Sequence, residues 1–515
     1  MTPTRSTAFD RATLAFLAVL TALTWLRIEL LRLNPIGLYY DEAQYWMWSR
    51  SLEWGYFTKP PLIAWVIAGT TALFGDAEWA VRLGAPLAHA IGALAIFALG
   101  RAMYGAWTGF WAGVGWLFMP AIWLSSAIIS TDALMLPFWA IGLLSMWRLS
   151  TTRAWVWAIV LGAAIGAGVQ AKYAMLYFVP CAALAVWRLP MVRQAVAGGR
   201  GIAAAAIALA LVTPNLVWNA RHGFVTAQHT AANARLDAAD LFNFDELFEF
   251  LSSQAIIGPL IFLALLWLTW RAMTRASSLS VEDKFLLAFM LPPFLFVSII
   301  AFVSRANANW AAVAYPAALV WVTGSLLVSA AGRRFFTAAI LVNFIIGAGF
   351  TLVAFNPSIS NQFKGVRMAR AWDETAREIA LRAATQPGEA PFTAVLVDSR
   401  ATYFELNYYW RQARRAGAPL PPVRMWLLHE EARNSAEAID PMRPEEGGRV
   451  LVVHISPDFL PFVAGDFTVF RTVEHLTIPL GGGINRELEI SVGEGFAPAP
   501  RDAAFEERVL RRGED

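Results

Sequence analysis

The chain reads as an α-helical polytopic membrane protein that ends in a small C-terminal α/β domain. Three observations predict this. Of its 515 residues 57% are hydrophobic and only 15% charged, with a mean hydropathy of +0.49; a soluble domain of this size is closer to a quarter charged. Apolar runs near the ~20 residues needed to cross a bilayer recur up to about residue 355. Beyond that point charge rises and short strand-like runs replace long apolar ones.

The apolar segments fall at roughly 12–31, 80–100, 107–125, 132–149, 154–170, 173–188, 201–219, 254–271, 285–304, 309–329 and 334–355, which predicts about eleven transmembrane helices. The first follows a basic N-terminus, lacks a small-residue cleavage pattern and reads as a retained signal-anchor helix. The stretch 61–75, "PLIAWVIAGTTALFG", is apolar but short and is expected to lie in the membrane interface. Arg101, Arg148, Arg153, Arg188, Arg193, Arg200, Arg271, Arg275, Lys284, Arg333 and Arg334 crowd alternate connections. The positive-inside rule places those connections and the N-terminus in the cytoplasm. A first outer loop (32–79), a second long outer loop (220–253) and the C-terminal domain are then expected on the other side. The first domain is thus 1–355 and the second 356–515. In the latter "TAVLVDS" and "RVLVVHIS" read as buried strands, "RATYFELNYYWRQARRAG" as a helix closed by a glycine, and the end after Pro498 as frayed.

The 23 tryptophans and 34 phenylalanines suit interfacial belts. A net charge of +3 without a long basic run gives no sign of nucleic-acid binding. The single cysteine, Cys181, excludes an intrachain disulfide.

Polar groups gather at one set of span ends. "YYDEAQYWMWSRSLEWGYFTKPPL", residues 39–62, places Asp41 and Glu42 directly after the first span and Lys59 before Pro60 and Pro61. Carboxylates beside hydrocarbon are costly unless paired or wet. The plain reading is a helix N-terminus stabilised by two acids. Successive helical positions diverge by about 100°, so the two acids cannot do one job: one could react while the other supports. Lys59 reads either as a lysine snorkelling to the interface or as a cation for a lipid phosphate. Asp132, Lys172, Arg305, Asn307 and Asn309 sit in short turns assigned to the same side. Singly each reads as an interfacial residue. Together they form the acid-and-cation set that chemistry on an anionic lipid needs. His222 and His229 in the long outer loop, with Glu42 or Asp237 as company, are weak metal candidates; two surface histidines are the plainer reading.

The first-loop segment "DEAQYWMWSRSLEWGYFTKPPL", followed in order by "RLGAPLAHAIGALAIFALGRAMYG", "STDALMLPFW", "GAGVQAKYAMLYFVP", "WNARHGFVTAQH", "SQAIIGPLIFLALLW" and "SRANANWAAVAYP", closely resembles the bacterial branch of the dolichyl-phosphate-mannose protein mannosyltransferase superfamily. The resemblance covers about residues 12–330. It implies a GT-C type fold and an inverting glycosyltransferase that takes a sugar from a polyprenyl-phosphate donor at the outer face of the bacterial inner membrane. The implied acceptor is lipid A, other lipopolysaccharide or another envelope glycan. By the same resemblance Asp41 is the catalytic base, Lys59 and Lys172 contact donor phosphate, and Asp132 matches a family acid at the mouth of the fourth span. The residues themselves add Glu42 as the support of Asp41, Arg305 as a further phosphate contact, and Tyr40 and Asn309 as candidate supports. The related aminoarabinose transferases of lipid A have an arginine where this chain has Gln44, which leaves that phosphate contact open. A metal is not required for such a leaving group, though a divalent ion stays compatible with it. The rival readings are a protein O-mannosyltransferase-like enzyme, which lacks support from any added domain, and a polytopic lipid or solute transporter. A transporter should hide its charges near the bilayer midplane and show repeats, and neither is evident.

Overall fold

Some apolar segments break at a proline, whereas the helices Thr131–Thr152, Gly199–Arg221 and Val281–Val303 stay whole around Pro137, Pro214 and Pro292–Pro293. The computed structural model describes residues 10–226, 228, 242–274, 279–385, 388–455 and 459–512. Among these, six helices are long and apolar enough to cross a membrane: Arg11–Arg32, Glu78–Tyr104, Thr131–Thr152, Gly199–Arg221, Val281–Val303 and Ala330–Ala354. Two further pairs, Tyr173–Arg188 with Pro190–Val196 and Phe244–Ile257 with Pro259–Thr274, bend by 117° and 115°. Each break has a proline opening its second helix, where the missing N–H costs nothing and the preceding residue is pushed out of the helical region. The segment expected at 107–125 divides at Met119, whose backbone is extended before Pro120. Those at 154–170 and 309–329 form helices of 17 and 12 residues. The count by length is therefore six, or eight with each bent pair taken as one span, where the sequence predicts about eleven. The short 61–75 stretch is a 13-residue helix, Leu62–Phe74.

The chain packs as two units, Met1–Leu33 with Leu52–Thr351, and Asn34–Ser51 with Leu352–Asp515. Residues 34–51, expected in an outer loop of the membrane domain, are thus built into the C-terminal unit. In the helical unit the first helix carries Arg27, a fully buried cation. Its guanidinium donates to the Leu117 carbonyl and lies 5.6 Å from the Trp123 ring centre, which offsets part of the cost of a charge within a span.

The α/β unit holds one five-stranded sheet of order β2-β1-β3-β5-β4, built from β1 (Ala394–Val397), β2 (Val423–Met425), β3 (Arg449–His454), β4 (Phe467–Gly481) and β5 (Ile484–Phe496). β1 runs parallel to both β2 and β3, with Val395 opposite Val423 and Leu451; β5 runs antiparallel to β3 and β4. β1 and β3 are the two strands expected from the sequence. The β4–β5 hairpin was not expected. Its turn uses the "LGGG" run: Gly481, Gly482 and Gly483 all have positive φ (86°, 66° and 76°), which only glycine adopts at little cost. The core joins Leu396, Val450 and Val452 to Trp426, Phe467 and Phe496. The end after Pro498 is not frayed throughout. Arg501 pairs with the buried Asp466, Ala503–Arg512 is helical, and Phe505 enters the core. An anchored cation and one buried aromatic hold a segment whose composition alone looks solvated.

Candidate functional site

Residues 34–51 dock onto the α/β unit through aromatics. Trp46 meets the Tyr408 ring edge-on at 5.1 Å, and Trp48 Nε1 donates to Ser435 Oγ at 3.0 Å. Burial of one large apolar side chain is worth about 1.5–3 kcal/mol, so the two tryptophans anchor the segment. Its approach is close at Gly37, where a Cβ would stand 2.5 Å from Tyr409 Oη and 2.8 Å from the Ala369 carbonyl oxygen. The tyrosine can move but the carbonyl cannot. Gly37→Val is therefore expected to cost about 1–3 kcal/mol, read as a lower unfolding temperature of the full-length protein in detergent.

The anchored segment contains the Tyr40–Trp48 helix, and its first turn separates the two acids. Glu42 is 1% exposed and its carboxylate accepts the Tyr39 backbone N–H at 3.0 Å, satisfying a donor that the helix start leaves open. Asp41, one step round the helix, is half-exposed. Arg400 Nη2 lies 3.5 Å from Asp41 Oδ1 and donates to Tyr40 Oη at 3.3 Å. The guanidinium carbon stands 4.7 Å from the Tyr40 ring centre. Burial works against the Arg400 charge, but Asp41 and Tyr40 outweigh it and hold the guanidinium above its ordinary pKa. Burial, followed by the bond to Tyr40, pushes the Tyr39 phenol well above its usual value. Gln44, in the same helix, is buried.

Arg400 is the residue that sequence reasoning missed. It opens the Arg400–Tyr409 helix, capped by Ser399, whose hydroxyl accepts from Ala401 N at 3.3 Å. That helix leaves the carboxyl end of β1, where the strand order reverses between β1 and β3. Ligands of open α/β sheets gather at such reversals. Beneath it Asp398 Oδ2 lies 3.0 Å from His454 Nδ1, both nearly fully buried, and Asp398 Oδ1 accepts the Ile455 N–H at 3.4 Å, joining the ends of β1 and β3. The local signal was a strand followed by Ser-Arg; nothing local connects it to Asp41, 359 positions earlier.

In the helical unit three expected residues do come together. Lys172 Nζ lies 2.7 and 2.8 Å from the two oxygens of Asp132, and Asn309 Nδ2 donates to Asp132 Oδ2 at 2.8 Å. The backbone explains the meeting. Asp132 stands in the first turn of a helix capped by Ser130, Lys172 is the extended residue after the Trp155–Ala171 helix, and Asn309 lies in the Ala308–Ala314 turn. Arg305 and Asn307 are exposed, and Arg305 makes no ion pair among the described residues. Lys59 is half-buried, its carbonyl accepting from Tyr56 N at 3.1 Å. His222 stacks on Trp218 at 4.0 Å, with Nδ1 2.8 Å from the Trp218 carbonyl. Among the described residues no three His, Cys, Asp or Glu side chains gather as metal ligands. His229, Asp237 and the stretch 229–241 of the long loop 220–253 lie outside the described residues.

Residues 58–218 match the family model described as dolichyl-phosphate-mannose-protein mannosyltransferase. The lipid A galacturonosyltransferase RgtD of Rhizobium johnstonii is 33% identical over 413 residues, 79% of this chain and 85% of that protein. ArnT from Cupriavidus metallidurans bound to undecaprenyl phosphate matches the structure with a TM-score of 0.63 at 15% identity, covering 95% of this chain and 99% of that one. Its apo form matches with a TM-score of 0.62 over the same shares. At that identity the likeness speaks for a shared GT-C fold.

Proposed function

Because the chain belongs to the dolichyl-phosphate-mannose protein mannosyltransferase superfamily of membrane glycosyltransferases, we propose that it moves a sugar from a polyprenyl-phosphate carrier to lipid A or another envelope glycan. It is a multi-pass inner-membrane protein. In our reading its N-terminus is cytoplasmic and the α/β unit periplasmic. The carrying observation is the division of labour in the first turn of the Tyr40–Trp48 helix: Glu42 is taken up as a cap while the Asp41 carboxylate stays half-exposed.

Asp41 accepts the proton of the acceptor hydroxyl as its oxygen attacks the anomeric carbon. The bond from that carbon to the phosphate oxygen breaks, the phosphate leaves with the electron pair, and the configuration inverts. A base held within hydrogen-bond reach is worth about 10²–10⁴ in rate. Charge growing on the leaving phosphate is stabilised by fixed cations, a task this reading gives to Lys172, with Lys59 and Arg305 as further contacts. Asp132, held by Asn309, positions Lys172, and Tyr40 is read as a support beside Asp41. No metal is needed for the step so written.

The test is transfer by the full-length protein in lipid nanodiscs, with polyprenyl-phosphate sugars as donors and lipid A as acceptor, followed by mass spectrometry. A galacturonosyl donor heads the panel, after the specificity that RgtD's name gives it. A sugar increment on lipid A, retained in EDTA, is the expected result. An increment found on protein would favour the protein O-mannosyltransferase reading. Release of donor lipid to the other leaflet without transfer would favour a transporter.

A further inference from the structure

We infer that Asn215 is a positioning residue that sets the loop carrying Lys59 against the turn carrying Lys172; this rests on the reading of both lysines as phosphate contacts. The Gly199–Arg221 helix turns its leucines outward and two amides inward. Leu209, Leu211 and Leu216 are exposed, while Ala204, Asn215 and Asn219 are its buried residues. Asn215 and Asn219, four positions apart, share one face. Amides buried from an apolar helix are costly unless they are bonded there, so their partners show what the face holds.

Those partners belong to two segments. Asn215 Nδ2 donates to the Trp54 carbonyl at 2.7 Å. Two residues on, the Tyr56 carbonyl accepts from Thr226 Oγ1 at 2.7 Å. Trp218 Nε1 donates to Glu53 Oε2 at 3.1 Å, and Gly55 lies so close that a Cβ would stand 2.4 Å from the Trp218 ring. The loop closes on itself where Tyr56 N donates to the Lys59 carbonyl at 3.1 Å. On its other side Asn215 Oδ1 accepts from Tyr173 Oη at 2.8 Å, and that hydroxyl accepts from Asn219 Nδ2 at 3.0 Å. Tyr173 is the residue after Lys172. One carboxamide therefore joins the two segments.

An amide suits this place and its nearest relatives do not. The Trp54 carbonyl can only accept, so it takes the NH2 group and leaves the amide oxygen for the Tyr173 hydroxyl. A carboxylate would oppose the carbonyl, and a leucine would serve neither partner. Bonds to alternate loop carbonyls fix which residue stands where, as apolar packing alone does not. Lys172 is already pinned by both Asp132 oxygens, so the loop is the part whose place depends on Asn215. Two cations serve one phosphate only at a set spacing, and a misplacement of about 1 Å can cost about 100-fold in rate.

The test is a double-mutant cycle on the binding of polyprenyl phosphate by the full-length protein in nanodiscs, with donor KM and kcat measured beside it. Lys59→Met should weaken binding by about 10- to 150-fold, the loss of a hydrogen bond to a charged group. Asn215→Leu should weaken it by about 10-fold, mainly in KM, because the phosphate is charged before the bond breaks. Added to Lys59→Met, Asn215→Leu should cost less than about 2-fold more. Thr226→Val, which removes one bond and keeps the shape, should show the same pattern to a smaller degree, and it carries the cycle if Asn215→Leu folds poorly. Losses that multiply in the double variants would make Asn215 a support of the fold alone and overturn the inference. So would wild-type affinity in both Asn215→Leu and Thr226→Val. Wild-type affinity in Lys59→Met would instead overturn the phosphate reading on which the inference rests.

Discussion

Asp41→Asn is expected to lower transfer by about 10²–10⁴, the usual worth of a positioned general base, while the protein stays folded. Asparagine keeps the shape and loses the proton acceptor. Asp41 is 38% exposed and its ion pair to Arg400, at 3.5 Å, is long; a contact of that kind contributes about 0–1 kcal/mol. Thermal unfolding in detergent should therefore barely move, which separates lost chemistry from lost structure. Glu42→Gln supplies the contrast. The amide oxygen can still accept the Tyr39 N–H that Glu42 accepts at 3.0 Å, so activity should fall far less. Rates measured with saturating donor and acceptor decide between the two acids. Full activity in Asp41→Asn with a collapse in Glu42→Gln would exchange their roles.

That contrast shows what could be read from the sequence and what could not. Adjacent acids after a first apolar span already implied two different jobs, because the helical step turns them apart. Which acid does which job depends on burial, and burial comes from packing against residues hundreds of positions away. Trp46 and Trp48 read as membrane-interface aromatics by composition; they instead meet Tyr408 and Ser435. Arg400 escaped notice for the same reason. Strands β1 and β3 were legible because both are short, unbroken apolar runs. The β4–β5 hairpin was not, since β4 carries mixed polar residues and is largely exposed over its first half. The long apolar helices were legible as well, whereas the sharp bends at Pro190 and Pro259 were not, because hydropathy averages across a break that backbone sterics impose.

Lys172→Met should weaken donor binding by roughly 10- to 150-fold, the equivalent of about 1.5–3 kcal/mol for a hydrogen bond to a charged group. The difficulty is that Lys172 already has a partner. Both oxygens of Asp132 lie within 2.8 Å of its Nζ, and the two side chains are only 20% and 14% exposed. Removing the lysine alone strands a shielded carboxylate, which can cost up to about 3–5 kcal/mol in a fully buried pair and would lower activity for structural reasons. The double variant Asp132→Asn/Lys172→Met resolves this. It removes both charges at once, and an asparagine at 132 can still accept from Asn309, which now donates at 2.8 Å. Stability is expected to return. Donor affinity, measured as binding of polyprenyl phosphate to the protein in nanodiscs, is expected to stay low, because the ammonium's third N–H, the one Asp132 does not occupy, is gone with it. If affinity returns together with stability, Lys172 is a strut that holds Asp132, and the phosphate must be met by Lys59 or Arg305 instead.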